Sequence, residues 1–386
     1  MTFSISVPAH HEALGRAAAR RLARPALTTM YWRVGSLVLL FLCTDCHSKS
    51  RQVVADLGMA DLGATDLGVA DSAIPDQSVN KSWVQEDTPV TDTLYGVWGS
   101  GPTDIYAVGF GGVILHSTGD GVWQQQQTPL PTVFGDVFGS GPDEIYAAAV
   151  DSCIHPGCAL DGGRTPGGLF RSTGNGIWTD VTPSAIVVAS SVWLYGHSQG
   201  YVAGADYNGY SLLHLHEDGS FTNEVLPSQI GRVRGSSASD VYALGGYGLI
   251  YHSSGDGNWS QQATDDMGAP LFFDQIPGVW PVTPNDVYVV GENSLVIHST
   301  GNNDWTQQTV PQLSAIPVGV WASGPSDVYV VTGGTYETTG DILHSDGSGV
   351  WTRQRGGVAP ALYAVWGSGP GDVYAVGDAG TVLHWK

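Results

Sequence analysis

The chain has 386 residues, 53 of them glycine and only 13% of them charged, with 15 Lys and Arg against 36 Asp and Glu. A formal charge of −21 excludes the basic face that nucleic acid or an anionic membrane surface would need in a partner. Four cysteines are too few for a disulfide-stapled scaffold, so any stable fold here must come from a buried core.

Residues 1–29 are rich in Arg and Ala and show no strand period. Met30, an alternative start, is followed by Tyr31, Trp32, Arg33 and the mostly apolar run from Val34 to Leu42, which ends at Cys43. A charged start, about nine apolar residues and a nearby cysteine read as an export signal that is too short to span a bilayer. Cys43 resembles the lipidated cysteine of bacterial lipoproteins. That resemblance implies an exported protein, anchored to the outer membrane through lipid alone or otherwise periplasmic or at the cell surface. Residues 1–43 are therefore set apart as extension and export signal. In residues 44–80 the pentads ADLGM, ADLGA and TDLGV place Asp56, Asp61, Asp66 and Asp71 at intervals of five. No single face of a helix or strand collects apolar residues at that spacing, so the segment reads as a disordered tether.

From residue 81 onward the chain repeats. One tyrosine column runs Tyr106, Tyr146, Tyr201, Tyr242, Tyr288, Tyr329 and Tyr374, and nine residues before each lies Val97, Val137, Val192, Val233, Val279, Val320 or Val365. Trp98, Phe138, Trp193, Arg234, Trp280, Trp321 and Trp366 follow those valines. Each copy carries four short strand-like runs separated by Gly, Pro and Asp turns, which predicts an all-β, seven-bladed β-propeller of four-stranded antiparallel blades over residues 81–386. The last copy stops at Lys386 after three strands. The stretch around Trp83 reads like the missing fourth, so it is predicted to pair beside Val382 to Trp385 and close the ring, which removes exposed sheet edges.

Several polar columns have to be weighed before any is assigned chemistry. His116, His214, His252, His298, His344 and His384, with Arg171 in the remaining copy, share one position of the third strand. In adjacent blades that position is more than about 10 Å apart, whereas a zinc ligand must sit at about 2 Å, so these are read as one structural hydrogen bonder per blade and no metal is assigned. The repeated Asp104, Asp240, Asp286, Asp327 and Asp372 are read as turn residues. Arg232 and Arg234 break the inner-strand pattern in the fourth copy only, where either a local ion pair or, second, a ligand contact would account for them.

Length varies only in second-to-third-strand loops and in blade connections, which leave an up-and-down blade on the same side. The insertions Ala149 to Gly168, Gly204 to Tyr210, Ala263 to Gly278 and Thr332 to Gly340 make that rim the candidate binding surface. It carries Asp151, His155, Asp161, Arg164, Asp206, Tyr207, Tyr210, Asp265, Asp266, Phe272, Phe273, Asp274, Tyr336 and Glu337. Aromatics among carboxylates suit a glycan or an envelope protein, and calcium is the ion those oxygens could hold; no cofactor is otherwise expected. Cys153 and Cys158, with four residues between them inside the longest insertion, read as a small disulfide-bridged loop.

The copies resemble the secreted propeller repeats grouped with Asp-box (BNR) proteins and with photosystem II assembly factor-like propellers. The form VWGSGPxDVYAVG is similar to that of exported lipoproteins. Ser117, Asp120, Gly121 and Trp123 give a turn one residue shorter than the Asp-box pattern SxDxGxxW. The sequence therefore leads to a monomeric, exported binding or scaffold module. A glycan-directed hydrolase of the sialidase-like kind is the alternative that the Asp-box resemblance implies, although only one pair of the propeller's arginines, Arg232 and Arg234, lies on an inner strand, where that family clusters three.

Overall fold

The computed structural model describes residues 81–150, 167–206, 209–262, 278–334 and 337–386, which belong to one compact unit spanning Asp76–Lys386. These residues form seven four-stranded antiparallel sheets. In six of them the strands follow chain order, as in blade 1, whose strands are Leu94–Gly101, Asp104–Gly109, Ile114–Ser117 and Trp123–Gln125. The seventh has the order that closes the ring. Trp83–Glu86 lies outside Val382–Trp385, with Trp83 opposite Trp385 and Glu86 opposite Val382.

Closure involves more than a strand pair. Trp83 meets Trp385 at 5.6 Å between ring centroids, and its indole N–H donates to Gln354 Oε1 in blade 6 at 2.9 Å. Glu86 is buried and accepts from Trp123 Nε1 of blade 1 at 2.9 Å, while His384 Nδ1 and Lys386 Nζ each lie 2.8 Å from its other oxygen. Burial alone would push its carboxyl upward, but these partners outweigh burial and hold it near 2. One carboxylate thus ties the first strand of the domain to its last strand and to the next blade.

Two aromatic interlocks run around the ring. In the outer one, each outer-strand tryptophan meets the second-strand tyrosine of the preceding blade edge to face, as Trp123 does on Tyr374 and Trp178 on Tyr106. Trp259, Trp305, Trp351 and Trp83 repeat the contact on Tyr201, Tyr242, Tyr288 and Tyr329, and Phe221 packs in the cluster that holds Tyr146. In the inner one, four of the five inner-strand tryptophans, Trp98, Trp193, Trp321 and Trp366, lie over a glycine of the next blade, and Trp280 instead donates its indole N–H to Ala322 O at the same position. A Cβ on Gly139 would stand 2.5 Å from the Trp98 ring, and one on Gly99 or Gly367 would stand 2.6 Å from Trp366 or Trp321. The glycine after each tryptophan in the VWGSG motif therefore accommodates a neighbour's indole. Where the preceding blade carries Phe138 or Arg234 instead, that position is Leu194 or Pro281.

The third-strand histidines are structural, as their spacing predicted. His116, His252, His298, His344 and His384 each place Nε2 within 2.6–2.9 Å of the Asp that begins the second strand. Ser100, Ser236, Ser323 and Ser368 hold the other oxygen of four of those carboxylates. The imidazole also packs against the tyrosine ring, stacked or tilted, at 4.0–4.6 Å between centroids in these five blades. The aspartates read as turn residues therefore tie the turn to the third strand as well. Blade 2 exchanges both partners: Glu144 replaces the Asp and Arg171 the His, 3.2 Å apart. In blade 3, His214 bonds Tyr195 at 2.9 Å instead.

Candidate functional site

The inner strands surround the ring axis and leave a narrow channel. Tyr95, Asp136, Arg232, Tyr363 and the aromatic rings Trp98, Phe138, Trp280 and Trp366 are among its walls, and its volume is about 50 Å³. Glycines keep it narrow, because Cβ atoms on Gly96, Gly278 and Gly319 would stand 2.8–3.0 Å from valines of their own blades and 3.0–3.3 Å from the backbone of the next. Tyr95 and Tyr363 meet edge to face at 5.2 Å. The Tyr363 hydroxyl donates to Gly334 O, in the second-to-third loop of blade 6, which places this mouth on the face of the variable loops.

One polar network joins three consecutive blades at the channel wall. Asp136 of blade 2 accepts from Arg234 of blade 4 through both oxygens, at 2.6 and 3.0 Å, and also from the hydroxyl and backbone of blade 3, Ser191 Oγ at 2.8 Å and Val192 N at 3.1 Å. Arg234 donates further to the carbonyls of Val192 and Val233, and its guanidinium lies 5.3 Å from the Phe138 ring. Burial opposes ionisation of Asp136, but the two arginines prevail and lower its pKa. Of the two readings of the arginine pair, the ion pair is what forms around Arg234. Arg232 is placed differently. Its side chain is 14% exposed and reaches Asp136 only at 3.4 Å.

The predicted rim is described in part. Asp151, Cys153, His155, Cys158, Asp161, Arg164, Tyr207, Asp265, Asp266, Phe272, Phe273, Asp274 and Tyr336 lie outside the described residues, as does Cys43. Asp206 and Tyr210 stand on paired strands, opposite Gly209 and Ala205. Glu337 is half-buried and its backbone N–H donates to Gly334 O at 3.1 Å. Two of the four insertions are shorter as loops than their sequence lengths suggest. In blade 3 the second and third strands run to Asp206 and from Gly209, and in blade 6 to Gly333 and from Gly340, so part of each added length extends the ladder. Blades 1, 4 and 7 make the same connection with three-residue 3₁₀ turns, Phe110–Gly112, Gly246–Gly248 and Asp378–Gly380. The contrast in loop length on this face therefore holds.

Among the described residues no three His, Cys, Asp or Glu side chains converge on a metal-sized point, and no helix is long and apolar enough to cross a membrane. Of the described arginines only Arg232 and Arg234 share the channel. Arg171 pairs with Glu144, Arg353 with Asp341, and Arg355 bonds the carbonyls of Gly340 and Ala359.

Solved structures with this architecture are numerous. YCF48 bound to a D1 peptide superposes with a TM-score of 0.59 over 78% of this chain and 96% of that one, at 13% identity. YCF48 from Cyanidioschyzon merolae gives 0.60 over 79% and 98%, at 16% identity. A catalytically inactive virginiamycin B lyase from Staphylococcus aureus, solved with quinupristin, gives 0.62 over 79% and 99%, at 12% identity. The chain is a seven-bladed β-propeller. No protein-family model and no curated protein matches it in sequence, so these likenesses extend to the fold and stop there. A peptide-bound protein and a lyase share this frame, so a function for the propeller has to be argued from its own residues.

Proposed function

We infer that this propeller is an exported, envelope-associated binding or scaffold module whose loop face recognises a protein segment or a glycan. The observation that carries the reading is a division of labour. The repeated His, Asp and Ser are engaged in tying strands within blades and the Tyr and Trp in packing blade on blade, whereas length varies in second-to-third connections, from three-residue turns to the insertion at 151–166, and in the blade connection at 263–277. A rigid ring with one variable rim is how repeat proteins present recognition loops. YCF48 with its D1 peptide shows that a propeller of this general shape can take a peptide.

Export and anchoring rest on the apolar run before Cys43, and Cys43→Ser is expected to move the protein from the membrane fraction to the soluble one. The recognition reading is tested by replacing residues 151–166 and 263–277 with three-residue turns. The shortened protein should keep its melting temperature and lose the partner that the intact protein captures from an envelope extract or on a glycan array. Equal capture by both proteins would overturn the reading.

A further inference from the structure

The channel wall carries one more cation than anion. Asp136 gives both oxygens to Arg234 and is approached by Arg232 only at 3.4 Å. Arg232 Nε is buried and has no hydrogen-bond partner among the described residues. Burial pushes this guanidinium down to about 10, with Asp136 opposing and the neighbouring Arg234 charge adding to the fall, so it stays protonated at neutral pH. An incompletely paired buried cation costs stability rather than supplying it. The ring does not require a cation at this position, since its counterparts in the other blades are Gly96, Asp136, Ser191, Gly278, Gly319 and Ala364.

We propose that the central channel binds one carboxylate group, paired with the guanidinium of Arg232. A planar guanidinium in a narrow, aromatic-walled space favours a carboxylate over neutral polar groups, because two parallel N–H donors along one edge match the two carboxylate oxygens and the pair is charge-assisted. The volume of about 50 Å³ sets the size: at roughly 10–15 Å³ per water it holds a few waters' worth of ligand, which fits the carboxylate end of a small acid or of a chain but not a sugar ring. The net charge of −21 also repels any ligand carrying several negative charges, so a single anionic group is the chemistry selected. Free small acids and the carboxylate terminus of a peptide supply the same group, and both would enter by the mouth at Tyr95 and Tyr363. This site is separate from the rim loops, so it can fail while rim recognition holds, and the reverse.

The test uses the full-length protein at constant ionic strength, titrated with acetate and with acetamide as the uncharged isostere. Tryptophan fluorescence from the channel walls and the side-chain Nε–H resonance of Arg232 report occupancy. Acetate should saturate both signals while acetamide moves neither. Arg232→Gln should weaken acetate binding at least tenfold, whereas Arg353→Gln on the outer strand of blade 6 should leave it unchanged. Binding by Arg232→Gln equal to that of the parent, equal effects of acetate and acetamide, or an Arg232 Nε–H resonance that acetate does not move would each overturn the proposal. The resonance is read on the unmodified protein, so it decides the question even if the variant fails to fold. A glycine-rich tripeptide with a free C-terminus, compared with its amide, identifies the source. Tighter displacement of acetate by the free acid supports a chain end, and binding no tighter than acetate supports a small free acid.

Discussion

At the middle radius of the ring the same polar link recurs with substitutions in kind: five blades use Asp and His, and blade 2 uses Glu144 and Arg171. At the axis the corresponding link occurs once, among Asp136, Ser191 and Arg234, and it joins blades 2, 3 and 4. The first region repeats blade by blade, so losing one link leaves five others intact. The second has no duplicate. Redundancy thus falls toward the centre, and that is where Arg232, the less closely paired of the two arginines, is placed.

Breaking the ring should have the largest effect, because closure is shared by every blade. Deleting residues 81–90 removes the strand beside Val382–Trp385 together with Glu86, and it should lower the melting temperature by more than about 10 °C and promote aggregation through the bared edge. An unchanged thermal melt would show that the other sheets stand without it.

The axis should come next. Arg234→Met leaves the buried Asp136 carboxylate with only the distant Arg232, at a cost of about 3–5 kcal/mol in chemical denaturation. The double change Arg234→Met with Asp136→Asn should recover much of that loss, because the uncompensated charge is then gone. No recovery would mean that the arginine acts by packing on Phe138 rather than by charge.

Acid sharpens the comparison at the closing sheet. The Glu86 carboxyl lies near 2 in the folded protein against 4.5 ordinarily, so its stabilisation is complete above about pH 4.5 and is lost as pH falls toward 2. Stability measured between pH 5 and pH 2 should therefore fall more steeply in the parent than in Glu86→Gln, which should already be weaker at neutral pH by about 2–3 kcal/mol. Parallel curves would remove Glu86 from the account of closure.

The smallest of these effects isolates the inner interlock within a single strand. Gly139→Ala brings a methyl against the Trp98 ring and Glu144 O, each 2.5 Å from the ideal Cβ position, and should cost about 1–3 kcal/mol. Gly141→Ala, two residues on, meets only the flexible tip of Asp143 and should stay within about 0.5 kcal/mol. Equal costs would show that the indole has room to shift.

Much of this architecture was legible because it is local and repeated. Turn residues at fixed offsets and period-two runs define each strand, and a chain that ends one strand short while carrying a spare at its start, at Trp83, indicates closure. The histidines could be assigned by geometry alone, since strand spacing keeps equivalent positions too far apart for a shared metal. The pairing of inner tryptophans with a small residue one blade later, glycine in four cases and Ala322 after Trp280, was missed, although a signal existed: Leu194 and Pro281 stand there in the blades that follow Phe138 and Arg234. The carboxylate for Arg234 could not be read, because Asp136 lies 98 residues away and follows no motif. Loop length was overread in blades 3 and 6, where backbone pairing absorbed residues that composition alone assigns to an insertion.

The sequence by itself determined the blade, the number of blades and the strand that seals them, since each depends on backbone alternation and turn chemistry that neighbouring residues dictate. Only the tertiary structure decided which side chains of blades 2, 3 and 4 meet at the channel wall. Ring curvature brings blades 2 and 4 within one guanidinium's reach around Ser191, and a contact made by curvature leaves no periodic trace in the chain.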